Sequence, residues 1–258
     1  TIDRAWNAIS VAKKMGFSIT FGPFDTTRTD IDFLKTLLKA GVEAGANRVR
    51  VYDTLGVLHP PATRWWIGEL KKAIKVPIQY HCHDDFGMAV ANTCAAVEGG
   101  AEFVDLVVNG LGDRAGNCSM EETVMALECL YHVDTGIKLG KLMELSKLVE
   151  RISEIAIPKN KAIVGGNTFI HEADIHVAAI LSGYSNTFEP YKPELVGQTR
   201  QIYFGSTTST DSIISLAKYR NLKLDESRVD GILDKIKKEV EVKGYASDSE
   251  VEQFIKSQ

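Results

Sequence analysis

Over the first 165 residues, amphipathic segments alternate with short apolar runs. The runs at 18–21, 48–52, 77–81, 103–108 and 162–164 read as strands. Between them, apolar residues recur at helical spacing over 2–14, 31–44, 62–74, 89–98, 120–130 and 142–154. Each helix is long enough to cross back over a sheet, so the strands are expected to be parallel and the class α/β. Asp30 stands as a cap before the run at Ile31, while EAGAN at 43–47 and EGGAE at 98–102 supply glycine stops.

The polar clusters choose between a doubly wound sheet and a barrel. DTTR at 25–28, DTLG at 53–56, HCHDD at 81–85 and NGLGDRAGN at 109–117 follow successive strands, where a β/α barrel gathers its active site. The expectation is therefore a TIM (β/α)8 barrel whose N-terminal strands are absent from this chain, because the chain opens within a helix. Beyond Gly166 the pattern changes, through HEADIHVAA and FEPYKPELVGQTR, to helices near 210–219, 226–240 and 248–256. The expected domains are the C-terminal part of a catalytic barrel at 1–166 and a linker with helical subdomain at 167–258. The helix at 226–240 is expected to pack on the barrel or on a partner chain.

With 258 residues, 44% apolar and 25% charged, the composition is that of a globular, enzyme-sized chain and excludes collagen, coiled coil and disorder. The net charge of −4 without a basic tract argues against nucleic acid or a polybasic membrane contact, yet leaves room for a local cationic pocket. No apolar stretch reaches the roughly 20 residues needed to cross a bilayer, and the start lacks a signal-peptide core, so a cytoplasmic location is expected. Cys82, Cys94, Cys118 and Cys129 have no CxxC spacing and read as reduced thiols.

His81-Cys82-His83 carries the sharpest local chemistry. Residues i and i+2 of a strand face one way, so two imidazoles can meet one point while Cys82 faces elsewhere. Two neutral imidazoles plus oxygen ligands suit a divalent cation. Asn117, in the glycine-rich 109–117 loop, could add a neutral oxygen, and Arg114 could pair with Asp113 or with a substrate carboxylate. Arg28 offers a planar fork for a carboxylate, with Thr27 either joining it or capping the next helix. Asp53 is expected to hold a histidine or arginine in place. His171 and His176, five apart, are expected to have different tasks, one imidazole being suited to acid–base work.

Taken in order, RTDIDFL after DTTR, DTLGVLHP, HCHDDFGMAVANTCAAVEGGAE, NGLGDRAGNCSMEE, GGNTFIHEADIH and EPYKPELVG resemble the 2-isopropylmalate, homocitrate and citramalate synthase family. The barrels of that family in turn resemble 3-hydroxy-3-methylglutaryl-CoA lyase. The resemblance runs from the first residues to about Arg200. It implies a metal-dependent Claisen condensation of acetyl-CoA with a 2-oxo acid, giving a 2-hydroxy di- or tricarboxylic acid. It implies His81, His83 and Asn117 as ligands of a divalent ion (Mg, Mn or Zn). His176 is implied as the catalytic histidine, contributed across a homodimer, with Arg28, Thr54 and Arg114 near substrate.

Several positions depart from that pattern. Phe24 replaces an acidic residue, Phe188 a tyrosine, HEADIH the usual HESGIH, and His83-Asp84-Asp85 the usual HND. They leave open a divergent citrate synthase acting on oxaloacetate, a 3-hydroxyacyl-CoA lyase, and a non-catalytic barrel subunit. Pyruvate, 2-oxoisovalerate, 2-oxoglutarate and oxaloacetate all remain admissible acids.

Overall fold

A computed structural model describes residues 1–257. Two compact units emerge, one of Thr1–Ile137 with Leu148–Ser153, the other of Lys138–Lys147 and Glu154 onward.

The first unit follows the β/α alternation: α1 (Ile2–Lys14), β1 (Thr20–Phe21), α2 (Ile31–Glu43), β2 (Arg48–Asp53), α3 (Pro60–Ala73), β3 (Ile78–Cys82), α4 (Ala89–Glu98), β4 (Phe103–Val104) and α5 (Met120–Cys129). The four strands form one parallel sheet in chain order. Asp30 caps α2 as expected, its carboxylate accepting from the backbone N–H groups of Asp32 and Phe33. The third helix starts at Pro60 rather than at 62, since proline lacks only an N–H that a first turn leaves unpaired.

Each face of the sheet has its own chemistry. Val49, Val51, Ile78, Tyr80 and Cys82 are buried and join Leu34, Leu38, Ile67 and Leu70 from the helices in one core. Arg48, Arg50, Tyr52, Gln79 and His81 alternate with them and belong to the other face, where the Arg48 guanidinium lies 3.4 Å from the Phe103 ring centroid.

Two strand expectations are corrected. The strand expected over 103–108 ends at Val104: Asp105 N–H still donates to Tyr80 O (2.9 Å), but Val107 N–H turns to Cys118 O (2.9 Å), and Val108–Gly110 form a 3-10 turn. At 162–164 there is no strand. Ile163 takes a left-handed φ of 66°, and Val164 and Gly165 donate to Ala162 O and Lys161 O, so the backbone bonds stay local.

The helix α6 (Leu142–Ser153) precedes β5 (Ile170–His171), α7 (Asp174–Leu181), β6 (Gln201–Phe204), α8 (Thr210–Tyr219), α9 (Val229–Lys243), β7 (Ala246–Ser247) and α10 (Asp248–Lys256). The C-terminal region is helical, as expected, but carries a three-stranded sheet, β5 and β6 parallel, β6 and β7 antiparallel. Val229, Ile232 and Ile236 of α9 pack into that unit's own core with Phe204, Ile213, Leu216 and Val251. The apolar stripe expected to seek the barrel or a partner is therefore satisfied locally. Among the described residues no helix is long and apolar enough to cross a membrane.

Candidate functional site

The loops after β2, β3 and β4 are knitted together at one end of the sheet. His83 and Asn117 form an isolated antiparallel bridge, and Asp84 N–H donates to Gly116 O (3.0 Å). Gly56 is pressed against this seam at φ 61°, where an added Cβ would lie 2.7 Å from His83 O. Asp84 also accepts from the N–H of Ala89, the first residue of α4, at 2.8 Å.

Two of the three expected metal ligands meet here, and the third, Asn117, is the bridge partner of His83. His81 Nε2 and His83 Nε2 lie 3.3 Å apart. Two nitrogens each about 2.1 Å from one ion, at angles between square and tetrahedral, would be separated by roughly 3.0–3.4 Å. Asn117 Oδ1 is buried without a hydrogen-bond partner, as is His83 Nδ1, and an unpaired buried acceptor is costly unless something outside the protein's own polar groups satisfies it. Gly112 leaves the space that the Asn117 amide occupies, since a Cβ at position 112 would collide with Oδ1. Burial, followed by the charges of His81 and Arg114, pulls the His83 pKa below the ordinary histidine value and favours the neutral, ligating form. Two imidazoles and an orphaned amide oxygen thus fit a divalent ion. No group of three or more His, Cys, Asp or Glu side chains able to hold a metal occurs among the described residues.

Both rim arginines already hold carboxylates. Arg28, on the 3-10 turn Thr26–Arg28, grips Asp25 through Nε (2.8 Å) and Nη2 (2.5 Å), and Asp25 N–H donates to Thr54 Oγ1 (2.9 Å). The Asp25 carboxyl is held below its usual range by that pairing. Arg114, at φ 55°, grips Asp85 with two 2.7 Å bonds and donates to Thr54 O at 2.8 Å. The expected partner Asp113 is thereby corrected to Asp85: the turn carries the guanidinium across to the loop after β3. In both arginines the Nη1 group makes none of these bonds.

Asp53 is also corrected. Its fully buried carboxylate accepts from Val57 N–H (3.1 Å), Leu58 N–H (3.0 Å) and Thr27 Oγ1 (3.3 Å), so it fixes the loop after β2 and holds no histidine or arginine. Thr27 accordingly caps no helix.

In the second unit His171 ends β5 and His176 lies on α7, and the two rings meet edge to face with centroids 6.2 Å apart. His171 Nε2 meets buried Glu189 Oε1 at 3.1 Å, and Arg200 binds both Glu189 oxygens at 2.6 Å. His176 stacks on Phe188, ring centroids 3.8 Å apart. Tyr191 packs edge-on against Phe169 instead.

Three anchoring acids escaped the sequence reading. Glu121, buried, accepts from Asn109 N–H with both oxygens (2.9 and 3.0 Å) and so sets the left-handed turn at Asn109. Glu189 is the second and Asp105, beside His81, the third. Only β-sheet register exposes Asp105, since Tyr80 pairs with Val104 and leaves Asp105 level with His81.

The HMGL-like family model matches residues 1–149, and the model described as homocitrate synthase post-HMGL domain-like matches 163–244. The 2-isopropylmalate synthase of Methanocaldococcus jannaschii is 45% identical over 98% of this chain and 50% of its own length. A homocitrate synthase of Methanopyrus kandleri is 40% identical over 99% of this chain and 64% of its own length. The chain thus spans about half to two thirds of these curated relatives. The HMG-CoA lyase structure from Bacillus subtilis superposes with a TM-score of 0.53 at 25% identity, covering 61% of this chain and 57% of the lyase.

Proposed function

This chain belongs to the HMGL-like family, and we propose that it forms part of an acyl-CoA condensing enzyme that joins acetyl-CoA to a 2-oxo acid. The reading is carried by the 3.3 Å approach of His81 Nε2 to His83 Nε2, with the orphaned Oδ1 of Asn117 on the bridge partner of His83. The match over 163–244 to a homocitrate synthase domain favours condensation over the lyase direction.

In this reading His81, His83 and Asn117 hold a divalent ion, and Lewis-acid polarisation of a carbonyl oxygen is the chemistry it supplies when bound. Arg28 and Arg114 receive the carboxylate of the 2-oxo acid, and Thr54 lines the same edge. Resident carboxylates keep both guanidinium forks oriented while the site is empty of substrate. His176 takes a proton from the acetyl methyl carbon, that carbon bonds to the keto carbon, and the former keto oxygen is protonated to a hydroxyl; water then cleaves the thioester to a carboxylate and the CoA thiol. Its ring plane is fixed by the Phe188 stack. The reading has His176 delivered across a homodimer by a neighbouring copy. It sets the reaction in the cytoplasm, where unpaired Cys82, Cys94, Cys118 and Cys129 persist as thiols.

The test is CoA-thiol release by the full-length protein from acetyl-CoA with pyruvate, 2-oxoisovalerate, 2-oxoglutarate or oxaloacetate, with added divalent metal or with chelator. Metal-dependent release with one acid is expected. Release unaffected by chelation, or none with any acid by metal-loaded protein, contradicts the reading.

A further inference from the structure

Asp105 lies just past the end of β4, level with His81. Its Oδ2 is 3.2 Å from His81 Nδ1 and 3.2 Å from Arg50 Nε, while Oδ1 accepts a hydrogen bond from the Gln79 side-chain amide. Gln79 is itself held, since its Oε1 accepts from Arg48 Nη1 at 3.1 Å. Every group facing the Asp105 carboxylate is therefore a nitrogen that carries or can carry hydrogen. That surrounding suits an acceptor-only carboxylate.

From this geometry we infer that Asp105, steadied by Gln79 and Arg50, is a positioning residue that locks His81 in the Nδ1–H tautomer and leaves its Nε2 lone pair free for a divalent cation. The inference rests on the reading of His81 as a metal ligand, and deepens it. A neutral imidazole carries a single N–H, and whichever nitrogen hydrogen-bonds elsewhere decides which one can ligate. With the Nδ1 proton committed to Asp105, Nε2 of His81 is an acceptor facing His83 Nε2 at 3.3 Å. His83 then carries its proton on Nε2 in the metal-free protein, which leaves its buried Nδ1 as an acceptor with no partner. Cation binding requires no change at His81. At His83 one proton leaves Nε2 and one joins Nδ1, with no net change in charge. One ligand is preset and the other adapts.

Two readouts test this without recourse to turnover. Nitrogen-15 NMR of the metal-free protein, at alkaline pH where imidazoles are neutral, is expected to report His81 as Nδ1–H and His83 as Nε2–H. In D105A the His81 signals should move toward the Nε2–H form, and Mn2+ affinity measured by calorimetry should fall about 10–100-fold. D105N keeps one carbonyl acceptor and should fall between wild type and D105A on both scales. A wild-type His81 found as Nε2–H overturns the inference even if no variant folds. So does a D105A protein that loses thermal stability but keeps the wild-type tautomer and Mn2+ affinity, because that is a purely structural role. If wild type binds no Mn2+ while His81 is Nδ1–H and shifts in D105A, the metal reading fails and the positioning role of Asp105 stands.

Discussion

The side-chain oxygen of Asn117 rests against the Cα of Gly112, in space that any larger residue would fill. The glycine thus does more than turn the chain: it admits the amide whose Oδ1 completes the candidate ligand set. G112A is expected to push the Asn117 side chain aside and to lower divalent-metal affinity about tenfold or more, on the scale of lost ligand support. Calorimetric titration with Mn2+ checks this, with circular dichroism to verify that the fold is kept.

Replacing Arg114 by lysine preserves charge but not the two-pronged grip on Asp85 or the bond to Thr54 O. Both partners are solvent-facing, so stability is expected to be unchanged. The KM for the 2-oxo acid should rise about tenfold, the scale of one charged hydrogen bond, with a smaller effect on kcat. Steady-state kinetics of R114K beside a thermal melt separates the two.

Acid should destabilise the second unit through a defined pair. Burial is the largest influence on His171 and pulls it below 6.5 despite the neighbouring Glu189. For Glu189 burial pushes upward, yet the hydrogen bonds and charge of Arg200, with His171, hold it below 4.5. Both groups therefore bind protons more tightly in the unfolded chain. Their stabilisation is complete above pH 6.5 and is lost as pH falls, first through the histidine and then through the glutamate interval. Urea unfolding at a series of pH values is expected to follow this order. R200M, which strands a buried carboxylate, should cost ~3 kcal/mol at neutral pH.

The thiols should be sorted by depth. Cys82, Cys94 and Cys118 are buried, and Cys129 is half-buried. Burial pushes the Cys94 thiol up to about 11, and hydrogen bonding to Cys118 together with burial raises Cys82. Under native conditions an aromatic disulfide reagent should modify Cys129 first. Fast modification of Cys82 would contradict the burial of the strand's apolar face.

Where one element's own pattern sets its structure, the chain could be read directly. The alternation in Arg48–Asp53 and the Asp30 cap are local, and both appear in the fold. The approach of His81 to His83 was legible because strand periodicity turns residues i and i+2 the same way. The failures lie where distant partners decide. Residues 162–164 have strand-forming side chains, but Ile163 adopts a left-handed backbone that their composition does not announce. The sheet of β5, β6 and β7 rests on strands of two to four residues, too short to carry a period. Asp53 sits two residues past Val51 on the buried face, a position that suits a backbone anchor better than a rim ligand. Asp105 and Glu189 matter through residues 24 and 11 positions away, His81 and Arg200, contacts that only register and loop closure create.

The central claim is that His81, His83 and Asn117 form one divalent-metal site at the rim of the parallel sheet. Its most direct test is Mn2+ binding by the full-length protein, followed by equilibrium dialysis and electron paramagnetic resonance, in wild type, H81A/H83A and N117A. The account predicts one bound ion per chain in wild type, its loss in the double variant, and weakened binding with altered nitrogen and oxygen hyperfine structure in N117A. Wild-type stoichiometry and an unchanged spectrum in H81A/H83A would contradict it.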